Sequence, residues 1–326
     1  MLATLLALAL RLFPLSRPGY LSGDTQYDDG VYFGNALRLV HGVIAYRDFA
    51  MVQPPGSMLL MAPIALVAKV AGTAWGLAAA RLATAVADAA NVTLIGLLVR
   101  HRGSLAVTLA CAGYAIYPAA LIASQTLLLE PWLNLFCLLG ALLVFPPGRR
   151  AGSRRLAWGG ACFGFAAAIK IWAFAPALLA GVTGGAGGPS RRGRAWFAAG
   201  FAAGLAVPCL PFLALAPSGF GRTVFVSELV QSTHGRFGPK LRLADITGQD
   251  VAASRAVLAA DTRVWQAAFS RARYVWLIGS GGNTSPRIAW TWSLYGYFDQ
   301  HFRLLRFASS FRGKGDVPRG GLYGRA

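Results

Sequence analysis

Long apolar runs, separated by short charged clusters, order the chain up to Ala216. Residues 2–15 are apolar but short and carry Arg11 and Pro14. Crossing the hydrocarbon core takes about 20 residues, so this run reads as a first membrane helix whose start lies upstream of Met1. No basic region precedes it and no small-residue cleavage site follows, which makes a signal peptide the weaker reading. From Gly30 to His41 the pattern is amphipathic at helical spacing, with Val31, Phe33, Ala36, Leu37 and Val40 set against Asn35, Arg38 and His41. That predicts a helix lying in the membrane interface. Residues 57–71 are apolar but interrupted by Pro63 and Lys69. Residues 76–99, 105–123 and 127–145 then read as spans, 156–183 as a long apolar stretch around a single Lys170, and 195–216 as the last clear span. Beyond it no run of about 18 apolar residues occurs, so no further span is predicted. Residues 218–250 read as an extracytoplasmic segment, 279–286 as a loop, 297–302 as an aromatic and acidic cluster, and the Gly- and Arg-rich residues 312–326 as unstructured.

Basic clusters set the orientation. Loops rich in Lys and Arg stay in the cytoplasm, which places Arg100 and Arg102, residues 149–155 and residues 191–194 on that side. Glu130 then falls on the outer side. The stretch 156–183 has basic clusters at both ends, so it must go in and come back as two short helices with Lys170 near the turn. The loop 24–56 is external only if residues 57–71 do not cross, and Pro63 permits a re-entrant or juxtamembrane hairpin there. The competing count makes 57–71 a true span and leaves Arg100 and Arg102 outside.

Composition agrees with this class. Hydrophobic residues are 56% of the chain and charged residues 13%, whereas soluble domains are about a quarter charged. The net charge of +19 reads as loop anchoring and attraction to anionic lipid or lipid phosphate, not as nucleic-acid binding. Cys111, Cys137, Cys162 and Cys209 lie in apolar runs without a CxxC motif, so neither a disulfide nor a metal site is assigned. His41, His234 and His301 are scattered, and a zinc site is not expected. Asn91-Val92-Thr93 matches a glycan acceptor pattern only by chance, inside a span.

The chemistry concentrates in residues 24–56, which hold Asp24, Asp28, Asp29 and Asp48 out of 12 acidic residues. Adjacent carboxylates point in different directions. One of Asp28 and Asp29 can act as a base toward a hydroxyl, while the other orients it, holds a metal or raises its neighbour's pKa. The bland alternative is a solvated loop that caps a helix. Tyr27, Tyr32, Phe33 and Tyr46 either stack on a sugar or isoprenoid or form an interfacial aromatic belt. A lone Lys170 in an apolar stretch costs about 2.5–3.5 kcal/mol on insertion scales. A phosphate would offset that cost, and so would snorkelling or pairing with an acid such as Glu130. Asp88 is the one acid left inside a span, and Arg81, two turns away, shares its helix face.

The order D-D-G-x-Y-x-x-x-A from Asp28, Y-R-D-F from Tyr46 and Q-P-P-G from Gln53 resembles the first external loop of GT-C glycosyltransferases. That group includes protein O-mannosyltransferases and the aminoarabinose transferases of lipid A, and the likeness is greatest to actinobacterial members. The resemblance covers residues 25–243 best. It implies a catalytic base at Asp28 with Asp29 beside it, a second external acid at Glu130 in Leu129-Glu130-Pro131, and a basic residue near the lipid phosphate at Lys170. Asp24, Arg47, Gln53 and Arg236 complete the expected substrate contacts. Gln53-Pro54 stand where the aminoarabinose transferases have an acid and a Lys, so those lipid and metal contacts do not carry over. The family also continues with more membrane helices, which makes this sequence read as a shortened product.

The expectation is therefore an all-α polytopic membrane protein, a GT-C-like helical bundle whose external loop carries juxtamembrane helices. Residues 1–217 would be the catalytic module, with external loop 16–57, and 218–326 an extracytoplasmic and C-terminal region. The expected activity moves a sugar from a polyprenyl-phosphate donor to an acceptor hydroxyl of a lipid, glycan or protein on the outer face of the plasma membrane. No cofactor is assigned, though the acids leave room for a divalent metal. The rival readings are a transporter or flippase of lipid-linked sugars and an inactive fragment of the enzyme.

Overall fold

A computed structural model describes residues 2–17, 20–22, 27–49, 51, 53–148, 150–184, 190–226, 266–267, 269–279, 297–298, 300–309 and 319–326. It is mostly helical and divides into two compact units, Met1–Glu228 and Leu229–Ala326.

The first unit is a helical bundle. Helix α1 (Leu2–Leu15) packs on α4 (Thr73–Val99) and α5 (Ser104–Ala115). Helix α2 (Tyr27–Val40) lies against α3 (Gly56–Ala71). The turn from α3 into α4 is made at Gly72, whose φ of 92° suits a residue without Cβ. A Cβ on Gly76 would strike Ala68 and Phe33, so α4 doubles back close against α3. Lys69 at the end of α3 donates to the carbonyl of Val40 (2.8 Å), closing the C-terminus of α2 with a cation.

The expected span 105–123 is broken. Helix α5 ends at Ala115, α6 runs Pro118–Ser124, and the two are bent by 55°. The cause is local: Tyr117 precedes a proline, which disfavours helical ψ, and it is extended at ψ 118°. Helix α7 (Glu130–Val144) starts at Glu130, with Pro131 in its first turn where a missing N–H costs nothing.

The stretch around Lys170 splits as expected. Helix α8 (Ser153–Ile169) stops at Lys170, whose backbone is extended (φ −153°, ψ 131°), and α9 (Phe174–Thr183) follows a short 3-10 turn. Cβ atoms added to Gly159 and to Gly184 would both meet Val144, so α9 returns along α8 as a hairpin with Lys170 at its apex. Helix α10 (Arg191–Leu215) is capped by Ser190, which accepts from the N–H of Gly193 (3.1 Å). It packs parallel to α8: Gly160 and Gly164 face Phe197 and Phe201, and Gly200 and Gly204 face Ala157 and Ala161, each pressed on a backbone carbonyl. Small residues four apart on both helices allow this approach. Short elements α11 (Pro217–Gly221) and a π turn (Arg222–Val226) end the described part of the unit.

Thr73–Arg102 and Arg191–Leu215 are long and apolar enough to cross a membrane, and the bent α5–α6 pair adds a third candidate if it is one span. Helices α1, α3 and α7 are apolar but shorter.

The all-α expectation needs one correction. The second unit contains an antiparallel sheet of β1 (Tyr274–Gly279), β2 (Phe302–Ser309) and β3 (Arg319–Arg325), in the order β1-β3-β2. Residues 319–325, read as unstructured, form its central strand. Three of its seven residues, Gly320, Gly321 and Gly324, have poor strand propensity, but pairing on both edges overrides that. Phe298 stacks on Phe302 and both meet Phe269, which gives the aromatic cluster at 297–302 a packing role. Most of the segments 218–250 and 279–286 lies outside the described residues.

Candidate functional site

Four chain segments meet at one end of the first unit. The first turn of α2 carries Asp28 and Asp29, where a helix N-terminus favours negative charge. The segment before α7 brings Leu127 and Glu130. The break after α8 brings Lys170. The start of α3 brings Gly56, whose missing Cβ lets the carbonyl of Ala168 approach it.

Asp29 is fully enclosed at 1% exposure. Its Oδ2 takes a hydrogen bond from Arg81 Nη2 at 2.5 Å, and its Oδ1 accepts from the backbone N–H of Leu127 at 2.8 Å. Arg81, also buried, donates through Nη1 to the carbonyls of Tyr20 (2.5 Å) and Leu21 (3.0 Å). Asp28 is half-buried and carries no hydrogen bond or ion pair among the described residues. Burial pushes its carboxyl above the usual value of 3.8. Repulsion from Asp29 and then Glu130 pushes the same way, and Lys170 opposes them.

Lys170 Nζ donates to Glu130 Oε1 at 2.6 Å, with the two side chains 23% and 42% exposed. The lone cation of this apolar stretch is thus paired with a carboxylate. Glu130 Oε2 is buried with no hydrogen-bond partner among the described residues. The start of α7 is held from α4: Asn91 donates to the carbonyl of Pro131 (3.0 Å), and Trp132 Nε1 donates to Thr84 Oγ1 (3.1 Å).

The remaining expected site residues fare differently. Arg47 is exposed and grips its neighbour Asp48 through Nε and Nη2, each at 2.9 Å. That contact, with a second hydrogen bond from the N–H of Ile44, holds the Asp48 carboxyl down at about 2. Gln53 lends its backbone carbonyl to Tyr46 OH (2.6 Å). Tyr46 has a positive φ of 66° and packs edge-on against Phe212 and Phe220. Its ring and that of Phe33 are buried, so both serve the core and not an open stacking surface. Asp24 and Arg236 lie outside the described residues, as does the Tyr27 side chain. Among the described residues no group of three or more His, Cys, Asp or Glu is placed to hold a metal.

Sequence reasoning put Arg81 and Asp88 on one face of α4 but did not find their partners. Each has its own. Asp88 Oδ2 accepts from Arg11 Nε of α1 at 2.6 Å, and its Oδ1 accepts from Tyr114 OH at 2.6 Å. Charge balance was the available signal: a buried arginine in an apolar helix needs an acid, and few acids lie in this unit. No protein family, curated protein or solved structure matches this chain.

Proposed function

We propose that this chain is a membrane glycosyltransferase that moves a sugar from a polyprenyl-phosphate donor to an acceptor hydroxyl, with Asp28 as the base. The observation that carries the reading is the state of Asp28. Of the acids gathered at this end, Asp29 is committed to Arg81 and Leu127 and Glu130 to Lys170, while Asp28 is half-buried, uncommitted among the described residues and raised above the ordinary carboxylate pKa. A base with a raised pKa takes a proton more readily near neutrality.

In the proposed step the acceptor oxygen attacks the anomeric carbon. The bond from that carbon to the phosphate oxygen breaks, and the lipid phosphate leaves with the electron pair. The hydroxyl proton passes to the Asp28 carboxylate. A phosphate leaving group needs charge stabilisation more than an acid, and Lys170 supplies a cation at the same end of the unit, paired with Glu130. A single displacement inverts the anomeric configuration. The basic clusters at the far ends of α4, α7 and α10 would face the cytoplasm, putting the acids on the extracytoplasmic side.

The test is transfer from polyprenyl-phosphate hexoses to a hydroxyl acceptor by the full chain in lipid vesicles. Asp28→Asn is expected to lower transfer about 10²–10⁴-fold and leave donor binding unchanged. Unchanged transfer would remove Asp28 from the reaction. Movement of the lipid-linked sugar across the bilayer without transfer would support the transporter reading.

A further inference from the structure

We propose that Arg81 is a positioning residue for Asp28, acting through Asp29; this rests on the reading of Asp28 as the base. Arg81 joins three pieces of chain that must be registered for Asp28 to work. One guanidinium nitrogen holds the carbonyls of Tyr20 and Leu21, on the chain that leads into α2. The other holds Asp29, in the first turn of α2 and next to Asp28 in sequence. The second oxygen of Asp29 accepts from Leu127, three residues before Glu130. The path from Arg81 therefore reaches both the proposed base and the segment carrying the Glu130–Lys170 pair.

The chemistry suits a rigid fixture. A guanidinium is planar and always charged, and its donors point in fixed directions, so it can serve a carboxylate and two carbonyls at once. Both side chains of the pair are at most 1% exposed, which leaves little room for an alternative rotamer. Arg81 sits on the longest helix of the unit, which also anchors the start of α7 through Thr84 and Asn91. Both walls of the site are thus referred to the same helix. Misplacement of a reacting group by about 1 Å can cost about 10²-fold in rate.

The experiment pairs a rate measurement with a geometric one. In the full chain in lipid, Arg81→Met is expected to lower kcat about 10–100-fold, with KM for the lipid-linked donor within about twofold of the parent. Arg81→Lys, which keeps the charge but not the fork, should recover part of that loss. Separately, Asp28→Cys with Lys170→Cys is treated with a short bifunctional maleimide. The 28–170 cross-link, identified by fragment mass apart from links to the native cysteines, should form efficiently and drop severalfold when Arg81→Met is added. Unchanged kcat and cross-link yield in folded Arg81→Met protein would overturn the proposal, as would losses that only track the folded fraction. If Arg81→Met does not fold, Arg81→Lys and Asp29→Asn undergo the same measurements with the same criteria. If the parent chain transfers no sugar, the glycosyltransferase reading fails, and the cross-link alone decides whether Arg81 holds position 28.

Discussion

The two arginine–aspartate pairs on α4 and the lysine–glutamate pair at the apex of the α8–α9 hairpin have similar contact lengths, 2.5 to 2.6 Å. Their surroundings differ. Arg11–Asp88 and Arg81–Asp29 have side chains at most 1% exposed, and their carboxylates take further hydrogen bonds from Tyr114 and Leu127. Lys170–Glu130 is partly open, and one carboxylate oxygen has no hydrogen-bond partner among the described residues. A dry pair whose carboxylate takes a second hydrogen bond acts as a rivet, because losing either member strands a charge where water cannot reach it. A partly open pair is weaker, and its cation can turn toward an incoming anion. The fold thus separates enclosed charges that hold helices together from charges that remain partly open to solvent.

The largest effect should come from breaking a rivet. Arg11→Met leaves Asp88 buried without its cation and is expected to cost about 3–5 kcal/mol, measured by denaturation of the protein in lipid or detergent. Adding Asp88→Leu should restore much of that loss, since removing both charges costs far less than removing one.

The open pair should respond mainly in its pH profile. A base must be ionised, so the acid limb of transfer should lie above the ordinary carboxylate value of 3.8, because Asp28 is raised. Asp29, Glu130 and Lys170 are the charges that act on it, and the signs are opposite. Glu130→Gln removes a negative neighbour and should move the limb to lower pH. Lys170→Met removes an opposing positive charge and should move it higher, with stability changed by no more than about 1 kcal/mol. Matching shifts in the same direction would break the proposed placement of both charges around Asp28. The folded state holds the Asp28 proton more tightly than the unfolded chain. Its contribution to stability is therefore full below the unfolded pKa and is lost as pH rises through the raised one.

The smallest effect is expected at the rim. Arg47 and Asp48 bond to each other in an exposed turn, where side chains move freely and salt screens charge. Arg47→Ala should change neither the unfolding midpoint nor transfer measurably. A clear loss of donor affinity would return Arg47 to the substrate contacts expected from sequence.

Sequence alone determined the coarse architecture, because hydrophobic periodicity and loop charge are local signals. They marked the long helix ending at Val99, the break at Lys170 and an apolar helix over 195–216, whose start the structure moves back to Arg191, and they placed Asp28, Glu130 and Lys170 on one side. Burial and pairing are not local. Asp28 and Asp29 look equivalent as letters, yet only the fold of α4 against α2 gives Asp29 to Arg81 and leaves Asp28 uncommitted among the described residues. Likewise, Gly320, Gly321 and Gly324 carry no strand signal, and two neighbouring strands supply the hydrogen bonds that their own propensity does not. Partners distant in the chain decide which charge is neutralised and which segment is ordered, and that information exists only once the chain has folded.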